Sequence, residues 1–155
     1  MLVARFLRFL TRFRHIQPQV GRLHSVVLRR SGGRIRRSLL LAGGQPVLAL
    51  TTTGRRSGRP RSTVVAYLRH DDGYAVTPLN LGSDRHPAWY LNLRSQPRAK
   101  ITVDGQTITV CAREATGAEA GDLWRAYLKR LPPAAHLRRL AGRQVPMLVL
   151  EPGSG

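Results

Sequence analysis

Apolar residues recur along this chain in two rhythms, one helical and one of period two, and the switches between them outline its elements. In residues 2–13, Val3, Phe6, Leu7, Leu10 and Phe13 fall on one helical face and Arg5, Arg8 and Arg12 on the other, which predicts an amphipathic cationic helix. Gln17, Pro18 and Gln19 end it, residues 20–28 can form another helix, and a basic run follows at 29–37 before the Gly43-Gly44 turn. Short β-branched or aliphatic runs at 46–50 and 63–68 predict strands on either side of a glycine-punctuated loop. Runs at 62–69 and 74–79 flank His70-Asp71-Asp72-Gly73, whose Asp-Gly tip signals a hairpin. Residues 80–85 read as a loop and 86–93 as a short helix with Pro87 near its first turn and Pro97 as its stop. A second hairpin pairs 99–103 with 106–113 around Asp104-Gly105. Thr116 and Glu119 have the spacing of a capping box, opening a helix whose apolar face is Leu123, Trp124, Tyr127, Leu128 and Leu131. Pro132-Pro133 ends it, and a short helix at 134–141 precedes a last strand at 145–150. About six hairpin-linked strands with late helices predict a mainly β, α+β chain closed as a small barrel, not a parallel α/β sheet.

Composition narrows the partners. The 155 residues and 42% apolar content suit one domain with one modest core. The formal charge is +18, and no acidic residue precedes Asp71, so an anionic partner is expected: nucleic acid, an anionic membrane surface or a polyanionic small molecule. Nucleic acid is disfavoured, because the run at 29–37 has no aromatic residue to stack on bases and the whole chain is only 6% aromatic. The helix at 2–13 suits peripheral contact with an anionic bilayer; packing on its own domain and a transit peptide are the alternatives. No apolar run approaches the roughly 20 residues of a spanning helix. The single Cys111 excludes an intrachain disulfide and a cysteine-based cluster, reads as a buried structural thiol, and agrees with a reducing cytoplasm. Five histidines lack metal-ligand spacing, no nucleophile elbow is present, and the few carboxylates are scattered. Any catalysis would therefore be carried by a bound cofactor that the protein positions.

The loop at 51–61 concentrates the candidate chemistry. Gly54 and Gly58 can adopt positive φ and turn successive N–H groups inward as a nest, while Arg55, Arg56, Arg59 and Arg61 offer forked donors to phosphate or carboxylate. Solvated charge on a hairpin loop is the other reading. A Walker loop is excluded, since the order of Gly, Lys and Ser/Thr is absent.

Three blocks combine. Thr-Thr-Thr-Gly-Arg-Arg-Ser-Gly-Arg-Pro-Arg at 51–61, His-Pro-Ala-Trp-Tyr-Leu-Asn-Leu at 86–93 and Val-Pro-Met-Leu-Val-Leu-Glu-Pro at 145–152 resemble, in order, the deazaflavin (coenzyme F420)-dependent nitroreductase and quinone reductase family. The resemblance covers 46–152 and implies a flavin-reductase-like split β-barrel there, with 1–45 as a basic, helical N-terminal extension and a helical insertion before the last strand. It implies an oxidoreductase passing a hydride from reduced coenzyme F420 to a quinone-like or nitro-substituted acceptor, with no catalytic side chain and no metal. The cofactor's phosphate and carboxylate tail would meet Arg55, Arg56, Ser57 and Arg61. Its ring would lie along Ser62, Thr63, Val64, Val65 and Ala66 and along Thr77, Pro78, Leu79 and Asn80, walled by Ala88, Trp89, Tyr90, Leu91 and Asn92. Leu131, Ala134 and Leu137 stand in the substrate segment where nitroreducing members carry tyrosines, and Leu79-Asn80 stands where others carry Ser-Lys. These departures imply an apolar, quinone-like acceptor. An FMN-dependent barrel reductase and a basic nucleic-acid-binding barrel without catalysis are the competing readings. The cytoplasm, or the inner face of the plasma membrane, is the expected location.

Overall fold

The computed structural model describes residues 44–153. The extension at 1–45 and its amphipathic helix lie almost wholly outside the described residues. Seven strands form one antiparallel sheet: β1 (Val47–Thr53), β2 (Pro60–Ala66), β3 (Leu68–His70), β4 (Gly73–Val76), β5 (Arg98–Val103), β6 (Gln106–Glu114) and β7 (Leu148–Pro152). Three helices accompany them: α1 (Ala88–Ser95), α2 (Gly117–Arg130) and α3 (Ala134–Ala141).

The strand order is β2-β1-β5-β6-β7-β4-β3. Strands β2 and β3 therefore sit at opposite edges although only Tyr67 separates them in the chain. A sheet whose two edges are one residue apart must curl until those edges adjoin, which produces the split-barrel shape. Tyr67 makes the corner: its N–H donates to the Pro46 carbonyl at 3.1 Å, and its ring meets Tyr74 edge to face at 5.2 Å. The unbroken run at 62–69 thus becomes two strands with different partners, and the expected six strands become seven.

Two apolar clusters fill the fold, and the sheet's alternation assigns residues to them. Leu48, Leu50, Tyr74, Val76, Ile101, Val110, Leu148 and Leu150 point into the barrel, where Tyr90 and Leu93 of α1 join them. The intervening Leu68, Ala75, Met147 and Val149 point the other way, onto Leu123, Trp124 and Tyr127 of α2 and Ala134, Leu137 and Ala141 of α3. Strand β4 and the first residues of β7 are consequently buried on both faces. Leu48, Leu50, Ile101 and Leu150 are fully buried, each contributing about 1.5–3 kcal/mol relative to an exposed side chain.

Two local expectations fail for tertiary reasons. Cys111 is exposed, because Val110 takes the inward position of β6 and the pleat turns its neighbour outward. The capping box is not made: Thr116 is the N-cap of α2 but its side chain forms no cap bond. Glu119 instead accepts from Arg113 Nη1 and Nη2 at 2.7 and 2.8 Å, and its Oε1 lies 2.9 Å from His70 Nε2. A bidentate guanidinium is a stronger donor than a backbone N–H, so the carboxylate turns toward it. Arg113 Nε also donates to Glu151 at 2.7 Å, so this network ties β3, α2, β6 and β7 together.

Candidate functional site: an arginine loop beside a clamped turn

The hairpin between β1 and β2 is longer and its loop tighter than the sequence pattern indicates. Thr51, Thr52 and Thr53 extend β1, and Arg61 and Ser62 belong to β2, opposite Thr52 and Thr51. Only residues 54–59 remain as loop. Gly54 N–H donates to the Arg59 carbonyl at 2.8 Å, and Ser57 and Gly58 N–H both donate back to the Gly54 carbonyl at 3.2 and 2.7 Å. Arg59 N–H reaches Ser57 Oγ at 3.3 Å. Asn92, buried in α1, fastens this loop from outside: its Oδ1 accepts from Arg55 N–H at 3.1 Å and its Nδ2 donates to Thr52 Oγ1 at 3.0 Å.

These bonds correct the expected nest. Five of the loop's N–H groups are occupied within the protein, so they are not gathered toward a ligand. Gly58 does take positive φ, at 64°. Gly54 is required instead for space, since a Cβ there would stand 2.7 Å from Ser57 Oγ and 3.1 Å from the Arg59 carbonyl oxygen. Anion recognition is left to side chains. Arg55, Arg56, Arg59 and Arg61 are exposed, and none of them pairs with a carboxylate among the described residues. All eight acidic residues of the chain lie within the described range, at Asp71 or later. Three guanidinium groups on the loop and a fourth at the start of β2, without internal counter-ions, fit a ligand carrying several negative charges.

The remaining sequence-derived site residues fall into distinct settings. On β2 the pleat divides the expected ring bed: Thr63 and Val65 stand opposite Leu50 and Leu48 of the interior, whereas Ser62, Val64 and Ala66 stand opposite Thr51, Ala49 and Val47. A flat ligand can lie on one of these sets or along the outer edge of the strand, not on all five side chains. Thr77 donates through Oγ1 to the Pro146 carbonyl at 3.0 Å, Pro78 and Leu79 are buried, and Asn80 is half-buried. In α1, Ala88 is exposed, Trp89 and Leu91 are half-buried against the barrel core, and Tyr90 and Asn92 are buried. Tyr90 donates through its hydroxyl to Glu114 at 2.6 Å, and burial together with that bond pushes its pKa up to about 12. Leu131 is half-buried, while Ala134 and Leu137 are buried in the second core and offer almost no surface.

Sequence reasoning missed Arg143, which precedes β7. It donates through Nη2 to the Pro78 carbonyl at 2.8 Å, through Nε to the Ser83 carbonyl at 3.0 Å and through Nη1 to His86 Nδ1 at 3.1 Å. It thereby clamps a turn in which Asn80, Leu81 and Gly82 all have positive φ, at 49°, 51° and 75°. Such a conformation is costly for leucine and persists when its surroundings over-determine it. Gly82 also admits α3, since a Cβ there would lie 2.8 Å from the Leu137 carbonyl oxygen. The missed signal was weak: one arginine among many, 57 or more residues away in sequence from the turn it clamps.

Fold and site together define a split-barrel protein with a rigid, unpaired arginine loop at one rim and a clamped turn near the start of α1. The family model described as F420H(2)-dependent quinone reductase matches residues 20–152. An F420H(2)-dependent quinone reductase of Mycobacterium tuberculosis is 36% identical over 100 residues, which are 64% of this chain and 66% of the relative's length; a putative one of Mycobacterium bovis matches equally. A solved F420-H2 dependent reductase, FDR-A, superposes with a TM-score of 0.62 at 27% identity, over 68% of this chain and 94% of its own. The heme storage protein HutZ of Vibrio cholerae, 15% identical with a TM-score of 0.52 over 81% of this chain and 88% of its own, shares the fold alone. The chain belongs to the F420H(2)-dependent quinone reductase family. Among the described residues no group of three or more His, Cys, Asp or Glu is placed to hold a metal, and no helix is long and apolar enough to cross a membrane.

Proposed function

We propose that this protein is an oxidoreductase that binds reduced coenzyme F420 and delivers its hydride to a quinone-like acceptor. The observation that carries the reading is the loop at 54–59, locked by its own backbone and by Asn92 while its arginines remain without internal counter-ions. Arg55, Arg56 and Arg61, with Ser57, hold the anionic tail. The ring lies beside the β2 edge and residues 77–80, and the start of α1 closes the site. When bound, the cofactor supplies the hydride, so the chain's own residues bind, orient and exclude water. The apolar character of Leu131 favours a quinone-like acceptor over one needing several hydroxyl donors. The amphipathic segment at 2–13, read from the sequence as a helix, would bring the barrel to an anionic membrane surface, where apolar quinones reside.

The test is a pair of titrations. Coenzyme F420 and FMN are each added to the purified chain, and binding is followed by fluorescence, after which the F420-loaded protein is assayed in its reduced form with a naphthoquinone. Saturable F420 binding and quinone reduction are expected. Tight FMN binding with none of F420 would overturn the reading in favour of an FMN-dependent barrel reductase.

A further inference from the structure

His86 stands directly before Pro87 and α1, half-buried, between residues 77–80, assigned above to the cofactor ring, and the start of α1, which closes the site. Two contacts fix its imidazole. The ring packs on Tyr90 with centroids 4.6 Å apart, and Nδ1 lies 3.1 Å from Arg143 Nη1. A guanidinium can only donate, so Nδ1 must accept and the ring hydrogen must sit on Nε2. Nε2–H has no protein acceptor among the described residues. The same guanidinium binds the Pro78 carbonyl at 2.8 Å, which sets the imidazole beside residues 77–80.

We infer that His86 is a catalytic residue, donating a hydrogen bond from Nε2 to the carbonyl oxygen of the quinone-type acceptor, with Arg143 as the positioning residue that fixes its tautomer. This role rests on the functional reading above. Hydride addition brings two electrons and one hydrogen to the quinone and leaves the hydroquinone monoanion. That anion takes one proton from solvent, while the cofactor, having lost its hydride, releases one proton. A donor aimed at the oxygen where charge develops stabilises the transition state more than the ground state.

The surroundings keep the imidazole neutral. Burial first, then the charges of Arg143 and Arg94, hold its pKa below the ordinary value, and Glu114 alone opposes them. The groups facing it are Arg143 from the segment before β7, Arg94 and Tyr90 from α1 and Glu114 from β6, with Tyr90 and Glu114 joined to each other. A neutral imidazole keeps its bond to Arg143; an imidazolium would have to break it.

The experiment compares wild type, His86→Ala and His86→Gln as full chains, each checked by thermal melting. His86→Ala is expected to lower kcat for a naphthoquinone on the scale of 10²–10³-fold, with F420 affinity unchanged within about twofold. Glutamine carries an N–H near the reach of Nε2, so His86→Gln should recover at least about tenfold of that loss. In the ligand-free protein, 15N spectra of labelled histidine should show Nε2 protonated and Nδ1 bare, and Arg143→Met should abolish that preference. With wild type binding cofactor and turning over, a loss under about tenfold in His86→Ala, equal losses in both His86 variants, or an Nδ1-protonated ring would each overturn this inference alone. Failure of wild type to bind F420 would overturn the functional reading and this role with it, leaving the tautomer measurement standing.

Discussion

The loop at 54–59 and the turn at 79–86 are both glycine-containing bends that meet arginine, yet they use it in opposite ways. In the loop, backbone bonds and Asn92 hold the shape, so Arg55, Arg56 and Arg59, with Arg61 just beyond, have no structural duty. In the turn, Arg143 itself holds the shape by occupying the carbonyls of Pro78 and Ser83 and the imidazole of His86. Burial lowers the pKa of Arg143 from its ordinary value. Arg113 is a third case, saturated by Glu119 and Glu151. The difference teaches that net charge is a poor guide to a binding site in so basic a chain. What marks a ligand-ready arginine is a rigid support combined with the absence of an internal acceptor.

The largest test of this contrast is Arg143→Met. Removing a charged donor from several carbonyls in a strained turn should cost about 3–4 kcal/mol of stability, read from urea unfolding. A cost below about 1 kcal/mol would mean that the turn holds itself and that Arg143 is no clamp. Arg56→Ala and Arg61→Ala should behave in the reverse manner. Stability should stay within about 0.5 kcal/mol, while F420 affinity falls about 10- to 100-fold per substitution, corresponding to about 1.5–3 kcal/mol for a charge-assisted contact. The loss should grow with the length of the glutamyl tail, and affinities equal to wild type would remove the loop from its role. Asn92→Ala lies between the two cases, since it touches the loop's support and none of its arginines. It should cost about 2 kcal/mol of stability and weaken F420 binding only a few-fold by loosening the loop; unchanged hydrogen exchange at Arg55 N–H would contradict that.

The smallest effect concerns Arg113 and its acids. Arg113 first, and His70 second, hold the Glu119 carboxyl down at about 2, below its ordinary value of 4.5. A depressed carboxyl contributes stability that is complete above the unfolded pKa and is lost as pH falls through the folded one. Wild type should therefore lose its small advantage over Glu119→Gln between about pH 5 and pH 2, the window set by those two values. Parallel urea midpoints for the two proteins across that range would show that this exposed network contributes nothing.

Much of the barrel was legible locally. The Asp-Gly tips at 72–73 and 104–105, the proline stop at Pro97, the Pro132-Pro133 break and the period-two runs locate both short hairpins, α1 and the last two helices, because turn chemistry and side-chain alternation act over a few residues. The arginine loop and the three-block resemblance were also visible, and with them the family. What only the tertiary structure decided involves partners far apart in the chain. Tyr67 breaks a continuous β pattern because the curled sheet brings its two edges to that residue. Glu119 abandons its helix start because Arg113 and His70 arrive from β6 and β3. Cys111 faces outward because Val110 claims the core, and Gly54 matters for the space that Ser57 and Arg59 occupy. Arg143 and His86 stand 57 residues apart, and no local pattern encodes which guanidinium will meet which carbonyl or imidazole; that pairing follows from packing the closed sheet and is set only when the whole chain has folded.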